Sequence, residues 1–434
     1  MYYLCNRMGS FRSLIQSEGV RNFGKLLSAN VVAQAIGLVV YPILTRLYAP
    51  DDFGLLNLFL SIGGVLVILA TAEYQYAIVL PKEEEKARAV VQVGAIITLI
   101  ITCIVGLTVP FAQQIASLFK TPSLAQWYGL MPVYILVSAL WILVNYYHTR
   151  HKQFGLISGY QVSQSVLNAG AKVGCGYAGW LRGGLVCSTV LAPLLALIIN
   201  VVRSWKKGIS EVVHIDKPIC REVAREYSNF PKYSMPRALV NNLSGNMPSL
   251  LLTPFFGLTN LGFWGMALTL AFRPINMIEQ SLYQVMFQHV AAKVNRRETI
   301  RPILLRFCGR IMGITIPCFV ALYFVLPWLT RWLLGAEWEI SGQYIRVMLP
   351  WLTASMLVAP ICFLSDIFQK QKIGLWLEIL LVIMRLAGLC VGIGTRNFYY
   401  AIIGYSSAST LVILIQAVWY ACMVNHYEKS RLID

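Results

Sequence analysis

Ten ionisable side chains fall inside segments otherwise apolar enough to cross a bilayer: Glu73, Lys172, Arg237, Arg273, Glu279, Arg310, Arg346, Asp366, Glu378 and Arg385. A charge at the centre of a membrane helix costs roughly 2.5–3.5 kcal/mol, so ten of them facing lipid would cost on the order of 25 kcal/mol. They are therefore expected to line a hydrated cavity, to pair, or to reach back to the interface. Arg237, Arg310, Arg346 and Asp366 lie close enough to span ends to snorkel. Lys172, Arg273, Glu279, Glu378 and Arg385 lie deeper.

The contexts differ. The stretch MALTLAFRPINMIEQSLYQVMFQHV (266–290) places Pro274 directly after Arg273, with Glu279 five residues beyond the proline. Proline removes a backbone donor and clashes with the preceding turn, which predicts a bend at Pro274. Lys172 sits in NAGAKVGCGYAG, where Gly170 and Gly174 are four apart and predict a small face for close helix packing. Glu378 and Arg385 are seven apart, on one helix face, placed to pair through water or a third group. A cavity richer in cations than in acids suits an anion such as a phosphate or pyrophosphate carried by something large or amphipathic. Lys172, Arg273, Arg385 and Arg237 are its candidate ligands. Glu279, Glu378, Asp366 and Glu73 are candidates for proton or sodium coupling, or for gating. Tyr147, Trp264 and Tyr283 are aromatics of these segments, a type that in membrane helices more often packs or sits at the interface than stacks on a ligand ring. A static ion pair between helices is the structural alternative for Arg273 and Glu279.

These residues need helices to hold them. The 434-residue chain is 57% apolar and only 13% charged, with mean hydropathy +0.63. Soluble domains carry about 25% charged residues. Apolar runs of roughly 20 residues recur throughout, and the expected fold is an all-α polytopic membrane protein. About twelve spans are predicted, near 23–48, 53–80, 87–112, 124–148, 154–181, 183–204, 235–257, 259–291, 302–328, 343–369, 373–395 and 398–424. With the N-terminal side called inside, 25 of the 36 Lys and Arg fall on inside segments and five (Arg46, Lys120, Arg182, Arg331, Arg396) outside. Arg7, Arg12, Arg21 and Lys25 open the inside group. That asymmetry predicts cytoplasmic termini and explains a net charge of +17 without nucleic acid.

The halves repeat. YPILTRLYAPDDFGLL (41–56) aligns with SLLLTPFFGLTNLGFW (249–264) at an offset of 208, matching Leu44 with Leu252, Thr45 with Thr253, Gly54 with Gly262 and Tyr48 with Phe256. This predicts two six-helix lobes of one orientation, 1–204 and 235–434, with a substrate path between the halves. The polar segment 205–234 is the linker. Its Ile219, Val223, Tyr227 and Phe230 recur at helical spacing, which predicts an amphipathic helix on the inner leaflet or a solvated linker helix. The N-terminus shows no continuous apolar stretch of signal-peptide type before the first span. The ten Cys are scattered without a C-x-x-C, and read as small core residues with no metal site. His148 and His151 lack a third ligand and read as interfacial. Asn242 to Ser244 forms a glycosylation sequon only formally, because it lies in a span.

Four stretches, in order along nearly the whole chain, resemble the polysaccharide-transporter (O-antigen flippase) family of the multidrug/oligosaccharidyl-lipid/polysaccharide exporter superfamily. They are LTRLYAPDDFGLLNLFLSIGGVLVILATAEYQYAIVLPKEEEKA (44–87), NFPKYSMPRALVNNLSGNMPSLLLTPFFG (229–257), the segment around Pro274 with IEQSLYQVMFQ, and GAEWEISGQYIRVMLPWLTASMLVAPICFLSDIFQKQKIG (335–374). The resemblance implies a flippase, not an enzyme. It would move a polyprenyl-pyrophosphate-linked oligosaccharide across a bacterial cytoplasmic membrane by alternating access of two lobes, for O-antigen, capsule or other exopolysaccharide synthesis. It implies no cofactor beyond an H+ or Na+ gradient, and partners in the lipid bilayer and the glycan polymerase machinery. It fixes no contact residues beyond the general pattern of cavity cations. Glu73, within the EYQYAIVLP match, then reads as a packing or gate residue. Two rival readings are a membrane glycan polymerase or glycosyltransferase, which the short outer loops and the linker without paired carboxylates argue against, and a small-molecule antiporter of the same superfamily.

Overall fold

The computed structural model describes residues 18–205, 208–212 and 216–431. The basic residues Arg7 and Arg12, the segment before the first span and the last three residues lie outside the described part. Thirteen principal helices carry the fold: α1 Glu18–Leu47, α2 Pro50–Thr71, α3 Glu84–Leu107, α4 Met131–Arg150, α5 Phe154–Tyr177, α6 Leu181–Ser204, α7 Lys217–Glu226, α8 (235–256), α9 (258–295), α10 Arg301–Leu334, α11 Glu339–Val358, α12 Gln371–Gly394 and α13 Phe398–Arg431. No strand is present among the described residues.

Among the described residues ten helices are long and apolar enough to cross a membrane. One of them, Phe230–Val294, contains both α8 and α9. The 24-residue α5 has the length of a span, but its Gln, Ser, Asn and Lys side chains make it more polar than the rest. With α8 and α9 taken separately and α5 added, twelve helices of span length stand among the described residues, in an all-α polytopic fold.

The ends of several spans fall elsewhere than hydropathy placed them. α2 stops at Thr71, not near 80, because Ala72 (φ 44°) and Glu73 (φ 62°) turn left-handed before a 3-10 segment, Tyr74–Val79. No glycine or proline marks that stop, which is why the apolar run hid it. α11 ends at Val358, and Asp366 lies beyond it as the exposed residue of a short helix, Leu364–Ile367. The helix break in 235–295 comes at Gly257 (φ 76°, ψ 179°), a backbone state other residues avoid, while helical dihedrals run on through Pro274. Proline is tolerated inside a membrane helix when neighbouring groups take up the freed carbonyl.

The chain divides into two compact units, one ending at Leu243 and the next beginning at Ser244. In the N-terminal unit, Tyr48 donates to the Lys172 carbonyl at 2.6 Å. Close packing there uses Gly176, where a Cβ would lie 2.9 Å from Leu47, while Gly170 and Gly174, the pair expected to pack, face open space. The linker helix α7 is capped by Asp216, which accepts from Ile219 N. Its Cys220 and Val223 are buried in a cluster with Tyr74, Val90 and Tyr147. Cys220 donates to Gln92 Oε1, and Tyr74 donates to the Ala224 carbonyl. The apolar face of α7 therefore meets protein instead of lipid.

Charges on the same side gather acids. Lys86 pairs with Glu222 at 2.8 Å and Arg88 with Glu211 at 2.6 Å. Arg150 bonds Glu84 at 3.2 Å and donates to the Ile78 and Pro81 carbonyls, which clamps the turn after the 3-10 segment. His151 completes the cluster: Nδ1 faces the Tyr147 carbonyl and Nε2 faces Glu84 at 2.8 Å, so both nitrogens meet acceptors. His148 is fully buried between Gln153 and Asn200. His148 is a hydrogen-bonded part of the interior, whereas His151 stays partly exposed just past the end of α4. In the C-terminal unit, the hydrogen bond from Lys293 at 2.6 Å, with its charge, holds the Glu298 carboxyl below the usual carboxylate range.

The residues matched by the repeat occupy like places. Thr45 and Thr253 are buried near the end of one helix, and Gly54 and Gly262 near the start of the next.

Candidate functional site

Within the C-terminal unit five helices converge on a cavity of about 440 Å³. α9 contributes Leu268, Thr269, Phe272, Arg273 and Asn276, a single helical face by spacing. α8 supplies Gly245, α11 Trp351, α12 Arg385 and α13 Tyr405. Arg273 and Arg385 thus share one wall-and-floor arrangement.

Arg385 is only 8% exposed. Its Nε donates to Ser409 Oγ at 2.9 Å and its Nη1 to Ser244 Oγ at 3.0 Å. The guanidinium carbon lies 4.7 Å from the Tyr405 ring centre and 5.1 Å from that of Trp351. Tyr405 in turn donates to the Ser244 carbonyl at 3.1 Å. Two hydroxyls and two aromatic faces hold the cation, and no carboxylate among the described residues pairs with it. The charge is oriented and left without a counter-charge. That arrangement is costly in a low-dielectric site unless an anion enters.

The seam between α12 and α13 explains the placement. A Cβ on Gly388 would overlap the Gly404 carbonyl carbon, and one on Gly392 would overlap Ala401. The two antiparallel backbones touch there. One turn along, the same register sets Arg385 against Ser409.

The other candidates separate into smaller groups. Glu279 is half-buried on α9 and accepts from Ser355 Oγ at 2.8 Å, across to α11. Its carboxylate is thus engaged by a hydroxyl of α11. Glu378 is half-buried on α12, within electrostatic reach of Tyr420 and not among the partners of Arg385. Asp366 is exposed beyond α11. In the N-terminal unit Glu73 is 7% exposed, bonded to Gln75 and within electrostatic reach of the exposed Arg237. Lys172 belongs to neither pair; it is half-buried on α5. Of the aromatics, Tyr147 and Trp264 are fully enclosed and serve packing, and Tyr283 stacks on Phe287. The aromatic rings on the cavity are Phe272, Trp351 and Tyr405. Reading single segments missed Trp351, Tyr405, Ser244 and Ser409. The available signal was a lone intramembrane Arg in a chain with small hydroxyls in other spans.

An all-helical polytopic chain with this arrangement has the fold of transporters of the MOP superfamily. The solved structure of the lipid II flippase MurJ in an inward closed conformation superposes with a TM-score of 0.73 at 11% identity, covering 94% of this chain and 91% of that one. An inward-facing multidrug resistance MATE family transporter of the MOP superfamily superposes at 0.70 with 14% identity, over 93% and 96% of the two chains. A MOP superfamily transporter from Pyrococcus furiosus, described as having a binding pocket of reverse polarity, superposes at 0.59 with 12% identity, over 96% and 98%. No curated protein sequence matches the chain. Residues 43–343 match the model of the polysaccharide biosynthesis protein family, and the chain belongs to that family.

Proposed function

We propose that the protein is a flippase that carries a polyprenyl-pyrophosphate-linked oligosaccharide from the inner to the outer face of a bacterial cytoplasmic membrane by alternating access. The O-antigen, capsule or another exopolysaccharide pathway would use the product, alongside glycan polymerase machinery. The observation that carries this reading is Arg385: buried, oriented, without a carboxylate, and on one cavity with Arg273. Two guanidiniums suit a pyrophosphate, since each offers planar paired donors to phosphate oxygens. The same excess of positive charge disfavours a cationic drug. Lys172 and Arg237 are proposed as further cations that the headgroup meets in the N-terminal unit. The polyprenyl tail stays in lipid while the sugars cross in water, and both termini lie in the cytoplasm.

The test is the sidedness of a labelled polyprenyl-pyrophosphate oligosaccharide in proteoliposomes. Wild type should expose the glycan on the far side rapidly, and Arg273→Gln should reduce the rate about 10- to 100-fold, the loss expected for one charge-assisted contact. Equal rates with wild type and Arg273→Gln would remove Arg273 from the path. No exposure by folded wild type would end the flippase reading.

Glu279 is proposed as the coupling carboxylate, with Glu378, Asp366 and Glu73 as secondary acids, and H+ or Na+ as the driving ion. In the same vesicles an imposed ion gradient should accelerate wild type but not Glu279→Gln. Undiminished acceleration in the variant would exclude Glu279 from coupling.

A further inference from the structure

A second cavity lies in the C-terminal unit, away from the one that holds Arg273 and Arg385. It is a cleft of about 500 Å³ between α10, α11 and α13. Ile316, Val320 and Phe324 form one wall, Leu349 and Leu357 the second, and Leu414 the third. Arg346 is the one charged residue on it. Its Nε donates to the Tyr323 carbonyl at 2.6 Å, and its guanidinium lies 5.1 Å from the Tyr323 ring centre. No carboxylate among the described residues pairs with it. Arg346 is half-buried at one end of an apolar slot.

Depth along α10 places that end. Arg301, where α10 begins, and Tyr323 are 22 residues apart, or ~33 Å at the helical rise. That matches a hydrocarbon core of about 30 Å. Beyond Tyr323, Trp328 and Trp332 are stacked and largely exposed, as side chains of a headgroup layer are. Arg346 thus lies toward the tryptophan-bearing end of α10, and the slot runs from there to Leu357.

We propose that this cleft binds an anionic phospholipid, its phosphate on Arg346 and one acyl chain along the α10–α11–α13 slot. Under the topology proposed above, this lipid belongs to the outer leaflet. The charge count selects a phospholipid over the pyrophosphate-bearing cargo. One guanidinium balances one phosphodiester, whereas a pyrophosphate asks for more than one cation. The apolar walls supply the chain contact, and the bound lipid supplies the counter-charge that Arg346 lacks.

Native mass spectrometry of the detergent-purified protein, titrated with phosphatidylglycerol or phosphatidylcholine, tests this. Wild type should retain phosphatidylglycerol about tenfold more than phosphatidylcholine, the size of effect expected for one charged contact. Arg346→Gln should erase the preference, Arg346→Lys should keep part of it, and Thr353→Phe, which fills the slot, should reduce retention of both lipids. Unchanged preference in Arg346→Gln overturns the proposal. So does polyprenyl phosphate displacing phosphatidylglycerol at equal concentration, which would make the slot a cargo-tail site. If Arg346→Gln does not fold, Thr353→Phe decides: undiminished retention there also overturns it.

Discussion

Replacing Arg385 with Met or Gln is expected to abolish transport while leaving thermal stability unchanged or raised. The two effects have one origin. Arg385 is buried with two serine hydroxyls and two aromatic rings, but no acid. Hydroxyls and ring faces recover only part of the solvation a guanidinium leaves behind. The resting protein therefore carries a cost that an apolar or neutral side chain removes, as seen when buried ionic groups are replaced by well-packed neutral ones. An entering phosphate would recover that cost, so the same substitution takes away the attraction on which the cargo depends. Transport should fall by at least ~100-fold, beyond a single charged hydrogen bond because the field acts where water is scarce. The pair of measurements is glycan exposure in proteoliposomes and melting temperature in detergent. A sharp fall in melting temperature would identify Arg385 as a structural tie between α8, α12 and α13. Arg385→Lys keeps the charge but loses the planar fork over two rings, and an intermediate transport rate is expected.

Gly388→Val should destabilise the C-terminal unit by about 3 kcal/mol or more, the upper range for forcing atoms into a packed interior. The added carbons would meet the backbone of Gly404, which cannot step aside as a side chain can. α12 and α13 would have to separate. Gly174→Ala is the control, since nothing lies within 4 Å of its Cβ position and Ala favours helix over Gly by roughly 1 kcal/mol. Detergent thermal unfolding of the two variants should move in opposite directions. Similar melting temperatures for Gly388→Val and wild type would show that the seam gives way without cost. Because the seam also sets Arg385 against Ser409, a surviving fraction of Gly388→Val should transport poorly.

Fold class was legible because membrane spans are written in a property that sums over 20 residues. The polarity of α5 did not hide it, since its length and flanking turns still frame a span. Helix ends were less legible. The stop at Ala72 and Glu73 uses left-handed residues that carry no turn signature, so the run appeared to continue to residue 80. Pro274 drew attention as a bend, while Gly257, an ordinary glycine by context, makes the break. Among small-residue pairs, GAKVG (170–174) and GLCVG (388–392) look alike in sequence, yet only the second touches another backbone. A spacing tells which residues share a helix face, not what that face meets. The cost of Arg273 and Arg385 could be read from each alone. Their common cavity could not, because it depends on five helices arriving at one place.

The ion pairs on the side counted as inside have a consequence for biogenesis. The Lys and Arg that bias orientation act on a nascent chain, before its acids are in place. In the finished fold Lys86, Arg88, Arg150 and Lys293 are each held by a glutamate. Part of the charge asymmetry counted in the sequence is thus matched by acids of the same chain, and these four cations meet a carboxylate as well as their surroundings.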